Sequence, residues 1–244
     1  GPIHLYWYGF FIVLGVLSAL TVAIYIGKFY SIKTDTIIDL AIWLVVGGIL
    51  GARIYDIFLE WPYFSIHPLD IFKIWQGGLA IHGALIGGLV ALWLFPKKYK
   101  HNLWQLAAII VTALPLAQAI GRWGNYFNQE LFGRPTNLPW GIPIDMTHRP
   151  WQYLDISYFH PTFLYESIGN LFIFIILILL QIWLIKKSKN HESRVVSYEL
   201  CVMSYAILYS LLRFSTEFIR IDTTPAVLGL RWPRVSELSD FQYL

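Results

Sequence analysis

Charged side chains are scarce in this chain. Asp, Glu, Lys and Arg make up 14% of the 244 residues, where a soluble globular domain carries about 25%. There is one cysteine, which excludes a disulfide scaffold and a cysteine-rich metal site. The sequence has no HExxH, no Cys/His cluster, no Walker loop and no paired-aspartate signature of the CDP-alcohol type. No metal and no cofactor are therefore expected. Internal repeats and low-complexity tracts are missing too. The formal net charge is only +3, and no nucleic-acid partner is expected.

Apolar surface is abundant. Hydrophobic residues account for 57% of the chain and aromatics for 17%, and the mean hydropathy is +0.55. Such a composition is hard to dissolve in water and excludes a disordered chain. A bilayer core takes a helix of about 20 apolar residues, with about 17 as the lower end. Six segments approach this: Leu5–Ile26, Ile37–Leu59, Leu79–Phe95, Leu103–Ile120, Phe163–Ile185 and Val195–Leu212. The two-residue alternation of a membrane barrel is not found. The expected class is an all-α polytopic membrane protein with six transmembrane helices. Residues 1–244 form one integral membrane domain in this reading.

The basic residues set an orientation. With the N-terminus outside, the inner connections are 27–36, 96–102 and 186–194, and they hold eight of the nine lysines. No Lys or Arg precedes the first segment, which is also too long for a cleavable signal peptide. Arginine sorts the other way. Arg53, Arg122, Arg134, Arg149, Arg213, Arg220, Arg231 and Arg234 fall in spans or on the outer side. Lysine at an inner interface is topology and lipid anchoring. A planar guanidinium at an outer interface suits a planar or tetrahedral anion such as phosphate.

Two outer connections are long, 60–78 and 121–162, the second broken by Pro135, Pro139, Pro143, Pro150 and Pro161. Loops of this length are commonly functional. Gly47 and Gly51 in the second segment, and Gly83 and Gly87 in the third, share a four-residue spacing. Small faces of this kind let helices approach closely, so the second and third segments are expected to touch.

The densest polar stretch is Gly121-Arg122-Trp123-Gly124-Asn125-Tyr126-Phe127-Asn128-Gln129-Glu130-Leu131-Phe132-Gly133-Arg134-Pro135. It combines bidentate donors, amides, a carboxylate and glycines that permit close backbone approach. Arg213, Glu217 and Arg220 follow at i, i+4 and i+7, a spacing that puts all three on one helical face. A glutamate between two arginines can orient them for an anionic ligand; an interfacial salt bridge would use the same spacing. His82 opens the third segment, where a hydrogen-bonded structural histidine and a catalytic one read alike. His160 and Glu166 stand where the fifth segment begins, and Pro161 suits a helix entry. Tyr8 reads as an aromatic-belt residue, and Cys201 as apolar packing.

At these residues the sequence resembles a known family. Gly121–Gly133 follows Gly-Arg-x-Gly-Asn-x-x-Asn-x-Glu-x-x-Gly, a signature of bacterial phosphatidylglycerol–prolipoprotein diacylglyceryl transferases. The likeness continues, in the family's order, at Trp7-Tyr8-Gly9, His67-Pro68, Trp75-Gln76-Gly77-Gly78 with His82-Gly83, His160-Pro161 through Tyr165-Glu166, and Arg213-Phe214 through Arg220. The resemblance implies a multi-pass enzyme of the bacterial cytoplasmic (inner) membrane with a periplasmic N-terminus. It would move the diacylglyceryl group of phosphatidylglycerol onto the lipobox cysteine of a prolipoprotein signal peptide, forming a thioether and releasing glycerol 1-phosphate. Carried over residue by residue, the resemblance marks Tyr8, His82, Arg122, Asn125, Glu130, Gly133, Arg213 and Glu217 as functional positions.

Chemistry then suggests roles. Arg122 and Arg213 would grip the departing phosphate, with Glu217 orienting Arg213 and His82 as a base for the thiol. Tyr8, Asn125, Asn128, Glu130, Gly133 and Arg220 would complete the substrate site. The family ends in a seventh span, whereas 222–244 holds no apolar run of spanning length and is expected to be an atypical tail. A lipid or lipoprotein transporter, or a non-catalytic relative, would share the arginine-lined cavity without needing His82 beside Tyr8 and Asn125.

Overall fold

A computed structural model describes residues 7–187 and 191–221, together with two short strands, Ala226–Val227 and Leu230–Arg231. Apart from those strands, the expected tail at 222–244 lies outside the described residues. The chain forms seven α-helices: α1 Trp7–Phe29, α2 Thr34–Leu59, α3 Trp61–Ile66, α4 Ile81–Tyr99, α5 Leu103–Phe127, α6 Thr162–Lys187 and α7 His191–Glu217. Among the described residues, five helices are long and apolar enough to cross a membrane: α1, α2, α5, α6 and α7. This is an all-α, multi-pass membrane fold.

The third expected segment forms α4, which carries His82, Gly83, Gly87, Gly88 and the terminal Pro96-Lys97-Lys98 and is not among those five. The fourth and sixth segments are also longer than expected. Helix α5 continues through Gly121-Arg122-Trp123-Gly124-Asn125 to Phe127, so Arg122 and Asn125 are helical rather than part of a loop.

The chain packs as two compact units, residues 1–39 with 99–221, and residues 40–98 with 222–244. In the first, α5 packs against α1, α6 and α7. It is 44% buried over its apolar window, against 17% for α1. Small residues make this possible. Ala108, Ala113 and Ala119 are buried, and a Cβ on Gly15 of α1 would stand 2.9 Å from the Ala117 carbonyl oxygen. Asn102 caps α5, its Oδ1 accepting from Gln105 N at 3.1 Å.

Several polar side chains inside this unit hydrogen-bond to one another or to backbone, as a lipid environment favours, while Gln118 Oε1 and Asn170 Oδ1 are buried without a hydrogen-bond partner among the described residues. Thr112 donates to Gln181, whose amide donates to Tyr30 Oη at 3.0 Å. Gln118 donates to Tyr205 Oη at 3.0 Å, and Ser167 to the Ala119 carbonyl at 2.8 Å. Cys201 is buried among Ala108, Leu184 and Tyr198.

The long connection from α5 to α6 carries a small core of its own. Strands β1 (Ile142–Pro143) and β2 (Tyr158–Phe159) pair antiparallel, and Phe132, Ile144 and Phe159 are buried together. Arg149 ties this connection by donating from Nε to the Ile144 carbonyl (2.8 Å) and from Nη1 to the Leu154 carbonyl (2.7 Å). Both bonds are local, to carbonyls five residues before and after it.

In the second unit, α2 and α4 touch through the expected glycine faces. A Cβ on Gly47 would lie 2.9 Å from the Gly87 carbonyl oxygen, and one on Gly51 would lie 2.7 Å from Gly87 Cα. Arg53, buried near the end of α2, gathers the 60–78 connection. It donates to the carbonyls of Ile71 (2.9 Å), Gly77 (3.0 Å), Gly78 (2.9 Å) and Asp70, pairs with Asp56 at 3.4 Å, and lies 4.9 Å from the Phe64 ring centroid. Gly77 and Gly78 have φ of 97° and 71°, which glycine adopts without steric cost. A side chain on Gly78 would also collide with Asp56 and Arg53. Arg53 is a second arginine whose task is holding a loop.

Candidate functional site

The first unit gathers three arginines around one buried carboxylate. Glu166 lies in the first turns of α6 and is 3% exposed. Its Oε2 lies 2.5 Å from Arg122 Nε, and its Oε1 lies 2.9 Å from Arg213 Nη1 and 3.5 Å from Arg220 Nη1. Glu217 Oε2 accepts from Arg213 Nη2 at 3.2 Å. A lone buried carboxylate would be costly, and three guanidiniums offset that cost.

Each member arrives by a different route. Arg122 is one turn from the C-terminal end of α5, and α6 runs antiparallel beside it, as the Ala119–Ser167 and Thr112–Gln181 contacts together show. Arg213 and Glu217 are one turn apart at the end of α7. Arg220 does not continue that helical face, as its spacing suggested. The helix ends at Glu217, and the next turn is closed by bonds from Ile219 N and Arg220 N to the Thr216 carbonyl (3.0 and 3.2 Å). Arg220 then forms an antiparallel bridge with Gly133.

That bridge explains Gly133. A Cβ there would stand 2.8 Å from His160 Cβ and 2.8 Å from Ile219 Cγ2. Gly133 N donates to the His160 carbonyl at 2.9 Å, and Arg134 N to the Ile219 carbonyl at 2.8 Å. The glycine brings the signature segment against the chain that delivers Arg220.

Arg122 is the best placed to meet a ligand. Apart from the Nε contact, its guanidinium has no partner among the described residues, and its side chain is 22% exposed. Two N–H-bearing nitrogens in a planar fork are left for an anion. Asn125, one turn further along α5, is buried. Gly124 lies against Tyr8, a Cβ there standing 2.8 Å from Tyr8 Cδ2. Tyr8 is thereby placed on α1 beside the Arg122–Asn125 turn.

Asn128 and Glu130 fall elsewhere than expected. Asn128 Nδ2 donates to Glu130 Oε1 at 3.0 Å in the connection after α5, and Glu130 is exposed. Neither touches the Glu166 cluster. His82 belongs to the second unit, half-buried in the first turn of α4, with its ring centroid 6.0 Å from that of Tyr55. No group of three or more His, Cys, Asp or Glu among the described residues is arranged for a metal.

The sequence did not single out Glu166 as the centre; it read as part of a helix entry. The available signal was an ionisable residue just inside an apolar span, which must be paired.

The prolipoprotein diacylglyceryl transferase family model matches residues 1–239. The chain belongs to the prolipoprotein diacylglyceryl transferase family. Among curated relatives, the phosphatidylglycerol–prolipoprotein diacylglyceryl transferase of Synechocystis sp. is 45% identical over 91% of this chain and 77% of its own length. The enzyme of the same name from Nostoc sp. gives the same figures, 45%, 91% and 77%. That from Synechococcus elongatus is 43% identical over 91% of this chain and 75% of its own length. The triad of arginines on Glu166 is thus a feature of a diacylglyceryl transferase family member.

Proposed function

We propose that this chain transfers the diacylglyceryl group of phosphatidylglycerol to the lipobox cysteine thiol of a prolipoprotein signal peptide. The carrying observation is the arginine cluster on Glu166, with the outer nitrogens of Arg122 without a partner among the described residues, at the end of a membrane-spanning helix. In the reaction the thiol loses its proton and the sulfur attacks the CH2 carbon that bears the phosphate ester oxygen. The S–C bond forms as the C–O bond breaks. The electron pair goes to the phosphate oxygen, and glycerol 1-phosphate leaves as a more highly charged anion. Fixed guanidiniums are worth most against charge that grows in a water-poor site. Arg122 and Arg213 hold that phosphate, Glu217 orients Arg213, and Arg220 closes the third side. Asn125 and Tyr8 supply neutral hydrogen bonds beside Arg122, Gly133 brings in Arg220, and Asn128 and Glu130 complete the substrate site. His82 takes the thiol proton, a neutral imidazole being a suitable base for a thiol.

The lysine-rich connections face the cytoplasm and the arginine cluster the outer side of the bacterial inner membrane. No cofactor is involved in this reading. The test is direct: incubate the purified full chain with phosphatidylglycerol and a lipobox peptide, and look by mass spectrometry for a thioether-linked diacylglyceryl peptide. Product with wild type and its loss in Arg122→Ala is the expected pair of results. Absence of product with wild type overturns the assignment. Near-full turnover in His82→Gln would remove His82 from the role of base.

A further inference from the structure

We infer that Glu166 discriminates by charge, holding the site's affinity for a phosphomonoester down relative to a phosphodiester. The inference rests on the transferase reading and concerns what happens after the bond breaks. The substrate phosphate is a diester with one negative charge. The departing glycerol 1-phosphate is a monoester, which carries nearly two above its second pKa of about 6. Three guanidiniums without a counter-charge would hold that dianion hardest of all, and the product would block the site.

Glu166 is placed to prevent this. Its carboxylate touches Arg122, Arg213 and Arg220 together, through Oε2 at 2.5 Å and through Oε1 at 2.9 and 3.5 Å. It is 3% exposed, so water screens its charge little. Every anion that these arginines hold therefore meets one fixed negative charge nearby. The repulsion scales with the charge of the ligand. A dianion feels twice the free-energy penalty of a monoanion, and a ratio of affinities becomes squared. Glu217 contacts Arg213 but is far more exposed, with a side-chain exposure of 35% against 4% for Glu166. Its effect is expected in the same direction and weaker.

The glutamine variant is nearly isosteric and keeps an amide oxygen for Arg213 and Arg220. The experiment measures binding of two soluble probes to purified full chain at pH 8. One is glycerol 1-phosphate; the other is its methyl diester. Glu166→Gln is expected to tighten the diester about threefold and the monoester about tenfold, taking a partly water-like dielectric for the site. Turnover should then show stronger product inhibition by glycerol 1-phosphate, with Glu166→Asp restoring the wild-type monoester-to-diester ratio. If Glu166→Gln fails to accumulate, Glu166→Gln combined with Arg220→Gln rebalances the charge, and a wild-type ratio is expected. Equal weakening of both probes, or no change in their ratio for Glu166→Gln, overturns the inference by making Glu166 a scaffold only. Loss of both probes in the double variant would do the same. Because binding is read without turnover, these outcomes are separate from the transferase test, where wild type alone must form the thioether.

Discussion

Arg53 and Arg122 are both arginines near the end of a membrane-embedded helix, and they are used in opposite ways. Arg53 gives its N–H groups to four backbone carbonyls and Asp56, and its plane lies over Phe64. Most of its N–H groups are committed to the protein. Arg122 spends one nitrogen on Glu166 and keeps the rest of its fork without a protein partner among the described residues. A guanidinium engaged mainly by carbonyls holds a loop, whereas one that shares a carboxylate with two other arginines keeps N–H groups suited to an anion. Residue type and membrane depth do not separate the two cases; the partners do.

The sharpest way to break this contrast is to remove each guanidinium. Arg122→Ala should lower turnover by about 10²–10³-fold, the scale for losing one preorganised donor to developing charge. Arg122→Lys should recover little, because a point charge does not replace the planar fork; the thioether assay reads both. Arg53→Ala should instead act on stability, by about 3–5 kcal/mol, because Asp56 and several carbonyls lose their partner in a buried place. Thermal unfolding and protease cleavage within 60–78 would show it.

Smaller effects sharpen the picture. Gly133→Ala forces contact with His160 and Ile219 and should destabilise by about 1–3 kcal/mol. Because that contact delivers Arg220, substrate KM should rise along with the loss in melting temperature. The smallest effect concerns Asp70 in the 60–78 connection. The Lys73 ammonium, 2.6 Å away, and then the Tyr63 hydroxyl, 2.7 Å away, hold its carboxyl below the usual range. A depressed carboxyl contributes stability that is present above the ordinary value of about 3.9 and is lost as pH falls through its lower folded value. Protease resistance of this connection should fall across that acidic window in wild type, and less so in Asp70→Asn.

Much of the fold was legible in the chain, because apolar runs of spanning length leave little choice in a bilayer. The glycine contacts between α2 and α4 followed from spacing alone. The end of α5 did not. Gly121, Gly124 and the surrounding polar residues read as loop, yet the helix runs on to Phe127 because Gly124 packs against Tyr8, and packing outweighs propensity. Sorting arginine from lysine grouped Arg53, Arg122, Arg149, Arg213 and Arg220 together, although their partners differ. Which carbonyls Arg53 meets depends on how the 60–78 connection folds back onto it, and Arg149 on how its own connection turns. Glu166 was hidden for the same reason: its meaning comes from Arg122 on α5 and Arg213 on α7, contacts that span 44 and 47 residues of sequence.

If the Glu166-held arginines grip the phosphate of the lipid and Arg53 holds a loop, substitutions at the two positions separate turnover from folding. One measurement tests this most directly: thioether formed per folded molecule in Arg122→Lys and Arg53→Lys, side by side with wild type. Arg122→Lys is expected to fold and form almost no product, and Arg53→Lys to yield less folded protein with turnover per folded molecule unchanged. Wild-type turnover in Arg122→Lys would contradict the phosphate grip.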